Sequence, residues 1–146
     1  MKKKRISKAE GGKKSKTWEI RWLEQARKDA RKILPNDAAR AQLQEQVNRL
    51  RHFGDHDFMC DVELKQLRGR RYRDIWELCV KGGALGRINI RVFFAFIDED
   101  ESIADERFIA ILGAVKKEKE DGINHIYEKM RNRLNDVKYG KQIPSQ

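Results

Sequence analysis

Between Ile88 and Ile97 the chain alternates more regularly than anywhere else along its length. Ile88, Ile90, Val92, Phe94 and Phe96 fall on one face of an extended segment, and Asn89, Arg91, Phe93 and Ala95 on the other. A strand is expected here, and it has candidate neighbours on both sides. Ile75 to Val80 precedes it, closed by the turn glycines Gly82, Gly83 and Gly86. Phe108 to Val115 follows an acidic loop running from Asp98 to Glu106. The intervening loops are too short for a crossover helix, so the three strands should pair antiparallel.

Upstream, Trp18 to Trp22 alternates with both tryptophans and Ile20 on one side, which reads as a short opening strand. Leu23, Ala26, Ala30 and Ile33/Leu34 then recur at helical spacing until Pro35, which cannot continue a helix. Asn36 or Asp37 can cap a second helix with the stripe Ala39, Leu43, Val47 and Leu50, ended by Gly54. So short a break predicts an antiparallel helical hairpin. Asp55 to Gln66 reads as loop. A last helix is expected from Ile123 to Val137, with Ile123, Ile126/Tyr127, Met130 and Leu134 on one side. The expected class is α+β, with helices packed on one face of an antiparallel sheet.

The 146 residues suffice for one domain, and they carry a net charge of +10 from 33 Lys and Arg against 23 Asp and Glu. Residues 1–17 hold eight of the basic groups and one acid, Glu10, so seven of the ten net charges sit on this arm. With a single large apolar residue, Ile6, and the pair Gly11-Gly12, the arm is expected to be disordered. It could grip phosphates, carry a nuclear address or be a solvated extension. The folded domain is expected over 18–140, with 141–146 a flexible C-terminus. Two cysteines, Cys60 and Cys79, cannot build a disulfide framework and suit a reducing cytoplasm. No apolar run approaches a membrane span, and no apolar stretch follows the basic N-terminus to make a secretory signal.

Basic residues cluster within the folded part. Lys65, Arg68, Arg70, Arg71 and Arg73 surround Gly69 and Tyr72, Lys81 and Arg87 bracket a turn, and Lys116-Lys117 ends the last strand. The arginine cluster reads either as a solvated face or as a phosphate grip. Arg91, in the middle of the most apolar strand, needs a carboxylate or a polyanion beside it; Glu77 is the carboxylate that alternation places on the same face. No phosphate-binding glycine loop, calcium loop or nucleophile elbow is present, and no cofactor is called for. His52, His56 and Cys60 are four apart, but Gly54 interrupts the helix that would stack them, and a fourth zinc ligand is missing. A site built from cations suits RNA cleavage, in which the RNA's own 2′-hydroxyl is the nucleophile. The protein must then hold the phosphate in line, stabilise the phosphorane charge and move two protons. His125, near the start of the last helix and off its apolar stripe, is the candidate for proton transfer, whereas Tyr127 lies nearer the stripe and reads as core.

In order and spacing, Leu64-Lys65-Gln66-Leu67-Arg68-Gly69, Tyr72, Trp76-Glu77-Leu78, Gly86 and Ile90-Arg91-Val92-Phe93-Phe94-Ala95-Phe96 resemble the sheet of the RelE/ParE toxin superfamily. The phage-derived HigB-like branch is the nearest in pattern, and Ile111 to Lys117 resembles its closing strand with a terminal lysine pair. The resemblance covers Trp18 to Leu134. It implies a cytoplasmic toxin of a type II toxin-antitoxin system, a metal-independent endoribonuclease that cleaves messenger RNA, often on the ribosome. The implied partner is a cognate antitoxin of helix-turn-helix type. By position, Arg91 falls on the family's sheet arginine and Lys116 and Lys117 on its terminal basic residues, the expected catalytic cations; the basic clusters Lys65, Arg68, Arg70, Arg71, Arg73, Lys81 and Arg87 are the expected RNA-binding set. The chain departs from the family at Cys79, where arginine is usual, at Ile90, where an aromatic is common, and in its longer acidic loop. The Cys79 departure favours two rivals: a ParE-like toxin that inhibits gyrase, and a catalytically inactive nucleic-acid-binding module of phage or mobile-element origin.

Overall fold

The computed structural model describes residues 17–53, 63–98, 107–117 and 123–146. The basic arm through residue 16, the acidic loop beyond Asp98, and the positions of His56 and Cys60 lie outside them. The main described elements are β1 (Ile20–Trp22), α1 (Glu24–Ile33), α2 (Asp37–Asn48), a 3-10 turn (Arg49–His52), β2 (Glu63–Gln66), β3 (Ile75–Val80), β4 (Ile90–Ile97), β5 (Phe108–Lys116) and α3 (Ile123–Lys138). The class is α+β, and the five strands form one sheet in the order β1-β5-β4-β3-β2.

Local chemistry explains most boundaries. Asn36 caps α2, its Oδ1 accepting from the Ala39 N–H at 2.9 Å. Ala39, Leu43 and Val47 form the buried stripe of α2, which gives way to the 3-10 turn before Gly54 is reached. The turn between β3 and β4 is fastened from α2 by Gln42, whose Nε2 donates to the Gly82 carbonyl and whose Oε1 accepts from the Ala84 N–H.

Three expectations are corrected. First, the sheet is mixed: β2, β3, β4 and β5 pair antiparallel, but β1 pairs parallel with β5, Ile20 opposite Ile109 and Trp22 opposite Ile111. The helical hairpin after β1 carries the chain to β2 at the opposite edge, and the meander β2-β3-β4-β5 brings it back beside β1, a pairing that no local pattern encodes. Second, Glu63–Gln66 is a strand and not a loop. It escapes pattern reading because Leu64 is its one apolar residue; it is a short, charged edge strand, the usual way of blunting an open sheet edge. Third, the helices cover both faces. Phe53, at the end of the 3-10 turn, packs on Trp76 and Phe96 on the α1–α2 side. On the other side Tyr127 of α3 packs on Phe93.

The seat for α3 is bare backbone. A Cβ at Gly113 would fall 2.6 Å from both Arg133 Nη1 and Met130 Cε. Arg133, buried in α3, donates from Nη1 to the Leu112 carbonyl at 2.8 Å and to Asp29 Oδ2 of α1 at 2.7 Å. Asp29 also accepts from the Ala114 N–H at 3.3 Å, so one carboxylate joins α1, β5 and α3. The final residues, expected to be flexible, are held as well. Ser145 exchanges both backbone hydrogen bonds with Trp22, and Arg27 donates to the carbonyls of Ser145 and Gln146. Among the described residues, no helix is long and apolar enough to cross a membrane.

Candidate nucleic-acid interface

The loop joining β2 to β3 carries the densest run of cations in the folded part. It is closed by the Leu67 N–H to the Ile75 carbonyl at 2.9 Å and braced by Gln66 Nε2 on the Arg73 carbonyl at 2.6 Å. Leu67 is buried and pins the loop to the core, while Gly69 takes φ +95°, a conformation that strains any residue with a Cβ. Anchored in this way, Arg68 and Arg70 project outward as exposed side chains.

Helix α3 forms the facing wall, and a carboxylate ties it down. Glu128 accepts from Arg71 through both oxygens, Nε lying 2.7 Å from Oε1, and from the Tyr72 hydroxyl at 2.9 Å. These bonds favour the ionised carboxylate and hold the Glu128 pKa down at about 2. The same bonds raise the Arg71 guanidinium and the Tyr72 hydroxyl above their ordinary values. Further along α3, Arg131 pairs with Asp74 at 3.2 Å. Asn124, Tyr127, Glu128 and Arg131 recur three and four apart, so one stripe of α3 faces the loop.

Between the two walls lies a cavity of about 380 Å³, lined by Lys65, Arg68, Gly69, Arg70, Arg71, Tyr72, Asn124 and Tyr127. Arg71 is neutralised by Glu128, whereas Lys65, Arg68 and Arg70 form no salt bridge among the described residues. The two tyrosine rings meet edge to face with centroids 5.7 Å apart. Cations without a salt bridge among the described residues thus stand beside aromatic rings, the combination of charge and stacking surface that single-stranded nucleic-acid sites use in general.

The other expected site residues do not join this cavity. Arg91 is 8% exposed and its Nε lies 3.7 Å from Oε2 of Glu77, itself 7% exposed. The carboxylate alternative is therefore the one the structure shows, and the guanidinium expected at the RNA phosphate is committed to the interior. Lys116 and Lys117, expected to act together, diverge: Lys116 sits opposite Ile90, on the α1–α2 face, and Lys117 follows it with the opposite sense. Lys81 pairs with Glu63 at 3.1 Å, which raises its pKa. Arg73 and Arg87 are exposed but do not line the cavity. His125 is exposed and adjacent in sequence to the cavity residue Asn124. Burial raises the Cys79 thiol, so this residue supplies no charge to the sheet.

Sequence reading missed Asn124, Tyr127 and Glu128 as site residues. Tyr127 reads as core because it shares the apolar stripe, and it does pack on Phe93 while also lining the cavity. Nothing local joins Glu128 to a loop 56 residues earlier. Comparisons with protein-family models, with curated proteins and with solved structures find no match to the chain. The class is thus defined by geometry alone: an α+β domain whose terminal helix closes a cationic, tyrosine-walled cavity at one edge of a mixed sheet.

Proposed function

We propose that the chain is a metal-independent endoribonuclease toxin of the RelE/HigB type that engages messenger RNA at the cavity between the 67–74 loop and α3. The observation carrying this reading is the convergence of Lys65, Arg68 and Arg70, which form no salt bridge among the described residues, with Tyr72 and Tyr127 around one cavity. In the proposed reaction the RNA 2′-oxygen bonds to the adjacent phosphorus and the bond to the 5′-oxygen breaks. The products are a 2′,3′-cyclic phosphate and a 5′-hydroxyl. Arg68, Arg70 and Lys65 stabilise the phosphorane charge. His125, at the edge of the same helix turn, is the candidate for moving a proton between the attacking and leaving oxygens. Arg91, Lys116 and Lys117 are not assigned to this chemistry, because the first is buried and the lysines diverge. The resemblance adds an antitoxin partner of helix-turn-helix type, a cytoplasmic location and action on the ribosome.

A second reading, RNA binding without cleavage, is favoured by the burial of Arg91 against Glu77. Purified protein incubated with messenger RNA in EDTA, with and without ribosomes, separates the two. The first reading expects fragments ending in cyclic phosphate, lost in the Arg68→Ala/Arg70→Ala variant. Intact RNA that is nevertheless retarded on a gel gives the second. Intact, unretarded RNA together with inhibited gyrase would instead show a ParE-type toxin.

A further inference from the structure

Resting on the RNA reading of the same cavity, we propose that it is a pocket for one unstacked nucleotide, which makes the protein selective for single-stranded RNA. About 380 Å³ falls within the roughly 300–1,000 Å³ range of small-molecule sites, so the feature has room to seat a ligand and does not merely trace a backbone. The cations of its lining all stand on one wall. Lys65, Arg68 and Arg70 come from the end of β2 and the loop; Tyr127 and Asn124 come from α3. A nucleotide has the same division, a phosphate at one end and an aromatic base at the other. The phosphate meets the loop cations, the base lies against the Tyr127 ring, and the Asn124 amide can both donate to and accept from a base edge.

The tyrosine wall is fixed before any ligand arrives. Tyr127 is braced from below by Phe93, with centroids 6.1 Å apart, and from the side by Tyr72. Tyr72 is in turn held by its hydroxyl on Glu128, the carboxylate that also engages Arg71. Glu128 is thus a positioning residue: it removes one cation from the phosphate end and locks the ring at the base end. A base within a duplex is stacked on both sides and cannot enter a walled cavity, so duplex RNA should engage through its backbone alone.

Calorimetric titration with adenosine 5′-monophosphate, adenosine and inorganic phosphate tests the pocket without requiring catalysis. The nucleotide should bind at least tenfold more tightly than either part. Tyr127→Phe should retain that affinity, while Tyr127→Leu, which keeps an apolar side chain against Phe93, should weaken it roughly tenfold, as loss of one base stack does. A single strand should outcompete a duplex of equal length on the native protein but not on the Tyr127→Leu variant. Absence of nucleotide binding in the folded protein, or equal affinity for the Leu and native forms, overturns the pocket. If RNA is cleaved while Tyr127→Leu binds nucleotide and cuts as the native protein does, the pocket fails and the toxin reading stands. If RNA is never cleaved while nucleotide binding follows Tyr127, the endonuclease reading fails and the pocket stands.

Discussion

The arginines buried in the domain's interior and those on the 67–74 loop are one residue type under opposite constraints. Arg91 and Arg133 are buried, and each faces a carboxylate, Glu77 and Asp29. Arg68 and Arg70 are exposed and have no carboxylate partner among the described residues. A buried guanidinium has lost its water and must be compensated from within the fold, so it serves the fold. An exposed, unpaired one keeps its charge available to an outside polyanion. Net charge cannot distinguish the two groups, although they differ in every consequence of substitution.

The largest effect should come from breaking an interior pair. Arg91→Ala leaves Glu77 buried and uncompensated, and about 3–5 kcal/mol of stability should be lost in chemical denaturation. The pair is imperfect, since Glu77 Oε1 and Arg91 Nε have no hydrogen-bond partner among the described residues. Replacing both at once, as Glu77→Leu with Arg91→Met, should therefore recover most of that loss. If the double variant is as unstable as the single one, the charge-pair explanation is wrong. Gly113→Ala comes next. Arg133 is pinned on two sides and cannot yield to a new methyl, so overpacking should cost about 1–3 kcal/mol and loosen α3. Hydrogen exchange across α3 reads this directly.

Smaller than either, Asn36→Ala should cost about 1 kcal/mol by removing the α2 cap, with RNA affinity unchanged. This variant separates lost stability from lost binding. The smallest effect is that of pH on the Glu128 clasp. Its folded pKa is depressed, so its contribution is fully present above the ordinary value of 4.5 and is lost as pH falls through about 2. The gap in melting temperature between native protein and Glu128→Gln should hold steady from pH 8 to 5 and close towards pH 2. A gap that widens on acidification would contradict the ionised clasp.

What the sequence made legible follows from the range of its signals. The alternation of Ile88 to Ile97, the Pro35 stop and the Asn36 cap are local, and β4, α1 and α2 lie where those residues predict. The Arg91–Glu77 pair was accessible too, because alternation and neighbouring strands place the two on one face. The parallel seat of β1, the charged edge strand β2 and the opposite side taken by α3 depend on contacts between distant segments, which periodicity does not carry. At the site, the loop cations were visible as a cluster, but the other wall was not. Glu128 and Asn124 become site residues only when α3 lands beside the loop, and Tyr127 has to serve core and cavity together.

The division between interior and loop arginines is tested most directly by a salt titration of single-stranded RNA binding, followed by fluorescence anisotropy. Native protein and the Arg68→Ala/Arg70→Ala and Glu77→Leu/Arg91→Met variants would be compared. Removing two phosphate contacts should flatten the dependence of log affinity on log salt by roughly 1.4, with weaker binding at every low-salt point. The interior double variant should overlay the native curve. Equal slopes for the native and loop variants, or a flattened slope for the interior variant alone, would contradict the assignment of RNA binding to the loop.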